Sequence, residues 1–185
     1  MKPMLRNILP VVAGALLMLP IAQGAISTAQ SKDGLSKLEK DVRHELVMLP
    51  YFGVFDNLEF QVSEDGKHVT LSGQVTRPTL RSDAERVVDR IEGVERVTNN
   101  IEVLPLSPMD DRTRLAVART IFGDSVLSRY SWGAVPPIHI IVKNGNVTLA
   151  GVVANESDRN IAALRANGVS GVFSVDNNLK IEGRS

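Results

Sequence analysis

The chain has no cysteine, a single tryptophan, and aromatic residues at only 4% of its 185 positions. Without cysteine no disulfide can staple the fold, so stability has to come from apolar burial. Nor can the chain be exported as a lipoprotein, which needs a cysteine directly after the cleavage point. No run of lysines or arginines occurs, and 21 basic residues balance 21 acidic ones. Nucleic acid binding and a purely electrostatic hold on anionic lipid both require a concentrated basic patch, so both are disfavoured. Long apolar runs are missing except near the N-terminus. There Lys2 and Arg6 precede an apolar stretch from Ile8 to Ile21, broken by Pro10 and Pro20. It falls short of the roughly 20 residues a spanning helix needs, and Ala22-Gln23-Gly24 supplies the small residues a signal peptidase requires. Residues 1–24 are therefore expected to be a signal peptide cleaved near Gly24. That leaves a soluble, periplasmic chain with no integral membrane span; an uncleaved anchor is the less favoured reading. Removing Lys2 and Arg6 leaves 19 basic against 21 acidic residues, a net charge of 19 − 21 = −2.

Catalytic signatures are also absent. The sequence contains no G-x-S-x-G, no G-x-G-x-x-G and no G-K-S/T, so neither a nucleophile elbow nor a phosphate loop is expected. His44, His68 and His139 have no partner at metal-ligand spacing and are read as surface residues. Asp110 and Asp111 fall in the first turn of an expected helix, where the dipole already favours carboxylates. The expectation is a protein that is not an enzyme, with no catalytic residue, no metal and no cofactor.

What the chain does contain is a duplication. Val69-Thr-Leu-Ser-Gly73 aligns with Val147-Thr-Leu-Ala-Gly151, and Gly93-Val94 through Ile101 with Gly171-Val172 through Leu179. From 69–103 against 147–181 no gap is needed and 12 of 35 positions are identical, where unrelated segments would give roughly two. Each copy reads as α-β-β-α-β. Residues 25–34 are small, polar and aperiodic and are read as a loose leader. Leu35, Leu38, Val42, Leu46 and Leu49 then form a helical stripe that Pro50 ends. Leu58, Phe60 and Val62, followed by Val69, Leu71 and Val75, alternate as a hairpin. Leu80, Ala84, Val87, Val88 and Ile91 stripe a second helix, and Val97, Ile101 and Val103 make the third strand.

The second copy opens at Ser107-Pro108-Met109-Asp110, a serine cap with proline at the first helical position. Leu115, Ala118 and Phe122 are its expected stripe. Ile138, Ile140 and Val142 turn through Asn144-Gly145 into Val147, Leu149 and Val153. A helix over about 157–166 and a strand through Val175, Leu179 and Ile181 complete it. The fold class is thus α+β: two tandem α-β-β-α-β modules, each a three-stranded mixed sheet with two helices on one face. Only Leu104, Pro105 and Leu106 join the modules, about 10 Å when extended, so the two should pack as a rigid pair.

In V-x-L-x-G-x-V, a helix containing alanine, and G-V-x-x-V-x-N-x-[LI]-x-[VI], matched at Val69–Val75, Ala84, Gly93–Val103 and again at Val142–Ile181, the sequence resembles the BON domain family of bacterial envelope proteins. The expected division is a first domain over 35–104 and a second over 107–183. The resemblance implies an exported envelope-maintenance or osmotic-stress protein, with anionic phospholipid surfaces or envelope proteins as partners. The first copy departs in its longer hairpin turn and in Pro50-Tyr-Phe-Gly-Val-Phe-Asp56.

Two kinds of residue are candidates for contact with partners. Tyr51, Phe52 and Phe55 follow the first helix of module one and are read as plugging the open end of its core. In the corresponding segment of module two, Leu127, Arg129, Tyr130 and Trp132 combine apolar bodies with polar tips, suited to a membrane interface or a protein hot spot. For these four, plug and contact surface stand level. The outward strand positions differ between copies: Glu59, Gln61, Thr70, Ser72 and Gln74 in module one, but His139, Ile141, Thr148, Ala150 and Val152 in module two. Something should cover that apolar face, either module one or a partner. Used by a partner, the face of His139, Ile141, Ala150 and Val152 would make the chain a periplasmic adaptor or chaperone-like factor instead. Gly73 and Gly151 are read as letting a helix approach the sheet closely, and Asn99 and Asn177 as amides bonded to backbone.

Overall fold

The computed structural model describes residues 24–133 and 135–183. The expected signal peptide lies outside this range, except for Gly24. Module one comprises α1 (Gly24–Val47), β1 (Asn57–Val62), β2 (His68–Val75), α2 (Pro78–Val88), β3 (Arg96–Asn99) and β4 (Glu102–Val103). Module two repeats the order with α3 (Pro108–Phe122), a 3-10 turn (Leu127–Ser131), β5 (Ile138–Lys143), β6 (Asn146–Val153), α4 (Glu156–Asn167), β7 (Ser174–Asn177) and β8 (Lys180–Ile181). In each, an antiparallel hairpin is extended by a parallel third strand in two pieces, β3 and β4 or β7 and β8, both pairing with the middle strand. The helices cover one face, and each module closes its own apolar core.

The break in the third strand has a specific cause. Asn99 donates from its amide to the Arg81 carbonyl at 2.8 Å and accepts from the Ile101 N–H. Asn177 does the same with Arg159 and Leu179. Each asparagine thereby ties the interruption of the strand to the helix above it, which is why the pair recurs in both copies. The hairpins differ by an even number of residues. Val62 pairs with Val69 and Val142 with Val147, the second closing through Asn144 and Gly145 at φ 52° and 76°, so side chains keep their facing in both.

Three expectations are corrected. Residues 25–34 belong to α1 rather than to a loose leader; the segment carries alanine, glutamine and lysine, good helix formers, and no proline. In α3 the buried stripe is Asp110, Thr113, Arg114, Val117 and Ile121, while Leu115 is exposed. The hydrophobic pattern missed it because two of its members are charged. Both terminal nitrogens of Arg114 are nevertheless bonded, donating to the Val142 carbonyl at 2.8 Å and to Asp111, while its Nε is buried without a partner. Gly73 and Gly151 do not make room for a helix. At φ 108° and 112° a Cβ would lie 2.1 Å from the Asn57 carbonyl oxygen or 2.0 Å from that of Pro137, the backbone just preceding or opening the neighbouring strand.

The modules are in direct contact. The N–H of Ile140, on the free edge of β5, donates to the Val54 carbonyl at 2.7 Å. The Phe52 and His139 rings stack at 5.5 Å, and Lys143 pairs with Glu102 at 2.6 Å. Val54 and Phe55 pack on the core of module two, whereas Phe52 packs on that of module one. The segment expected to plug its own module is therefore shared between both.

Candidate functional site

The 3-10 turn Leu127–Ser131 is positioned by two carboxylates, neither of them singled out by the sequence reading. Asp124 accepts from the Val126 N–H at 2.8 Å, from the Leu127 N–H, and from Arg165 at 2.7 Å. These hydrogen bonds, the one from Val126 foremost, hold its carboxyl below the ordinary value against the opposing effect of burial. Asp158 lies at the start of α4, its N–H donating to the Asn155 side chain at 2.9 Å. The Tyr130 hydroxyl donates to the Asp158 carboxylate and accepts from the Ala154 N–H at 2.8 Å. Arg129 pairs with the same carboxylate and crosses the Tyr130 ring at 5.1 Å. The turn is thus bolted to the junction of β6 and α4.

The four candidate residues of this segment separate. Leu127 is fully buried in the core of module two, so it plugs the core and is not a surface contact. Tyr130 is half-buried with its hydroxyl engaged. Arg129 is half-exposed. Trp132, immediately after the turn, is 81% exposed. An indole in that state forgoes the stabilisation that burial would give, as do Leu106 and Phe173 at 96% and 80% exposure.

The second candidate group also divides. Ile141 and Ala150 are buried, at 3% and 4% exposure. Ile141 shares a crevice with Gln74, Glu102 and Leu104 of module one. His139 is not a surface histidine: it stacks on Phe52, its Nδ1 lies 3.3 Å from the Gly53 carbonyl, and burial, outweighing the pull of Gly53 and Asp56, lowers its pKa from the ordinary 6.5. Only Val152 remains open, at 44%. His44 and His68 are exposed as expected.

Two further carboxylates are structural. Asp56 accepts from the Gly53 and Thr76 N–H groups and from the Thr76 hydroxyl. Asp110 accepts from the N–H groups of Asn144 and Gly145 at 2.9 and 2.8 Å. Burial pushes the Asp110 carboxyl up, but these bonds, the Ser107 hydroxyl and Arg114 outweigh it and leave it lowered. Among the described residues no cluster of His, Asp or Glu is placed to hold a metal ion, and no helix is long and apolar enough to cross a membrane.

The profile of the BON domain matches residues 35–105 and 124–183, more than half of the chain, and the chain belongs to the BON domain family. No curated protein matches it. Two solved structures of CdsD, a structural protein of the type III secretion system of Chlamydia trachomatis, align with it. One is its C-terminal domain, 13% identical over 78% of this chain and 96% of that one, with a TM-score of 0.30. The other is 13% identical over 80% and 94%, also at 0.30. Likeness at that level carries no argument about this chain.

Proposed function

We propose that this protein is a non-enzymatic, periplasmic envelope-maintenance factor of the osmotic-stress type that engages phospholipid membrane surfaces through Trp132 and Arg129. The observation that carries the reading is Trp132, exposed immediately after a turn that Asp124 and Asp158 anchor through hydrogen bonds and an ion pair. Indole is suited to the interfacial layer of a bilayer, where its ring meets acyl chains and its N–H meets headgroups. Arg129 adds a cation nearby, although its charge is shared with Asp158. Family membership fits this role.

Co-sedimentation with phosphatidylglycerol vesicles tests it. The native chain should pellet with vesicles and Trp132→Ala should lose at least tenfold in affinity, because about 2 kcal/mol of indole burial is removed. Native protein that stays in the supernatant, or a variant that pellets equally well, would sink the proposal. Recovery of envelope proteins without any vesicle binding would favour the adaptor reading.

A further inference from the structure

Between the modules lies a cleft of about 370 Å³ that the Trp132 reading does not use. One wall is α1 and β1 of module one, with Leu46, Phe52 and Phe60; the other is module two, with Pro137, Ala150 and Val152. Its volume falls within the roughly 300–1,000 Å³ of small-molecule sites. Two exposed cations line it, Arg43 from module one and Lys180 from module two. Neither forms an ion pair among the described residues; Arg43 rests over the Phe60 ring, 5.6 Å from its centroid. One carboxylate is present, Glu59, and it accepts from the Asn57 amide at 3.0 Å. The cleft therefore offers mostly apolar walls and an excess of positive charge.

We propose that this cleft binds one single-chain amphiphile with an anionic head, its aliphatic chain against Leu46, Phe52, Pro137 and Val152 and its head between Arg43 and Lys180. A neutral apolar ligand would leave the attraction of both exposed cations unused, and a small anion would leave the apolar walls wet. Only a molecule carrying both parts satisfies both surfaces. Because the walls come from different modules, occupancy would also hold the modules together.

Isothermal titration of the full chain with octanoate, decanoate and dodecanoate, each below its micelle concentration, tests the site. One molecule should bind per chain, with affinity rising about fourfold per added methylene until the cleft is full. Decanol should bind at least tenfold more weakly than decanoate, and inorganic phosphate should not bind. Arg43→Gln combined with Lys180→Gln should remove the advantage of decanoate over decanol, and Val152→Trp, which fills the cleft from an open position, should weaken both. Native circular dichroism in each variant excludes misfolding. Absence of saturable decanoate binding, equal binding of decanol, or undiminished binding by the variants would overturn the proposal. The outcome is separate from the surface reading: decanoate binding retained in Trp132→Ala supports the cleft even where vesicle binding is lost.

Discussion

At the scale of single residues, the most constrained positions are those with no side chain at all. Gly151 combines φ 112° with the Pro137 carbonyl oxygen 2.0 Å from where a Cβ would be. Alanine there would meet backbone that cannot move without parting β5 from β6. Gly151→Ala should cost at least about 2 kcal/mol in urea unfolding, and Gly73→Ala a similar amount. His139 is constrained by charge. It is half-buried against Phe52 and its pKa is lowered, so the unfolded chain takes up a proton at a higher pH than the folded one. Its contribution is fully present above about 6.5, declines as pH falls below that, and levels off once the folded histidine is itself protonated. Thermal unfolding between pH 7.5 and 5.5 should therefore show a fall in melting temperature that His139→Gln makes smaller. An equal fall in both proteins would contradict the assignment.

At the scale of elements, the informative link is Asp110, on the first turn of α3 but bonded to the turn between β5 and β6. It sets the helix over the hairpin. Asp110→Ala would leave the N–H groups of Asn144 and Gly145 unpaired and should cost about 2–3 kcal/mol by urea unfolding. Because its carboxyl is held below the ordinary 3.8, the contribution is present above that pH and is lost as pH falls through the lowered value. This window is well separated from that of His139. The elements themselves were legible in the sequence wherever burial follows hydrophobicity. The leucine and valine stripes of α1 and α2, the alternation in the hairpins and the duplication each correspond to a buried face. Legibility failed where a polar residue is buried on account of its hydrogen bonds. Arg114 and Asp110 occupy the inner face of α3, and pattern alone placed Leu115 there instead. The candidate site failed in the same way: Arg165 reaches Asp124, and Arg129 and Tyr130 reach Asp158, across long sequence separations that spacing does not reveal. The local signs were Asn155 three residues before Asp158, and Asp124 just ahead of the turn whose first N–H groups it accepts from.

At the scale of the whole molecule, the two copies diverge most where they meet. Module two has apolar residues on its outer sheet face, and two of them, Ile141 and Ala150, are buried. Module one has polar residues at the equivalent positions, exposed at Glu59 and Gln61. Ile141→Glu would bury a carboxylate beside Leu104 and near Glu102, whose partner Lys143 is already engaged, and should destabilise the chain by about 2 kcal/mol or more. Because each module has its own core, the expected signature is a single unfolding transition splitting into two, with an increase in radius of gyration by small-angle scattering. One unchanged transition would show that the modules do not support each other through this face.

The hydrogen bond from Ile140 to Val54 reaches beyond the pairing of the two halves. β5 is the outermost strand of its sheet, and an uncapped strand margin is a template on which another polypeptide can lay itself down. Residues 53–54 rest on that margin, so the first copy occupies part of the edge on which a second molecule would otherwise pair.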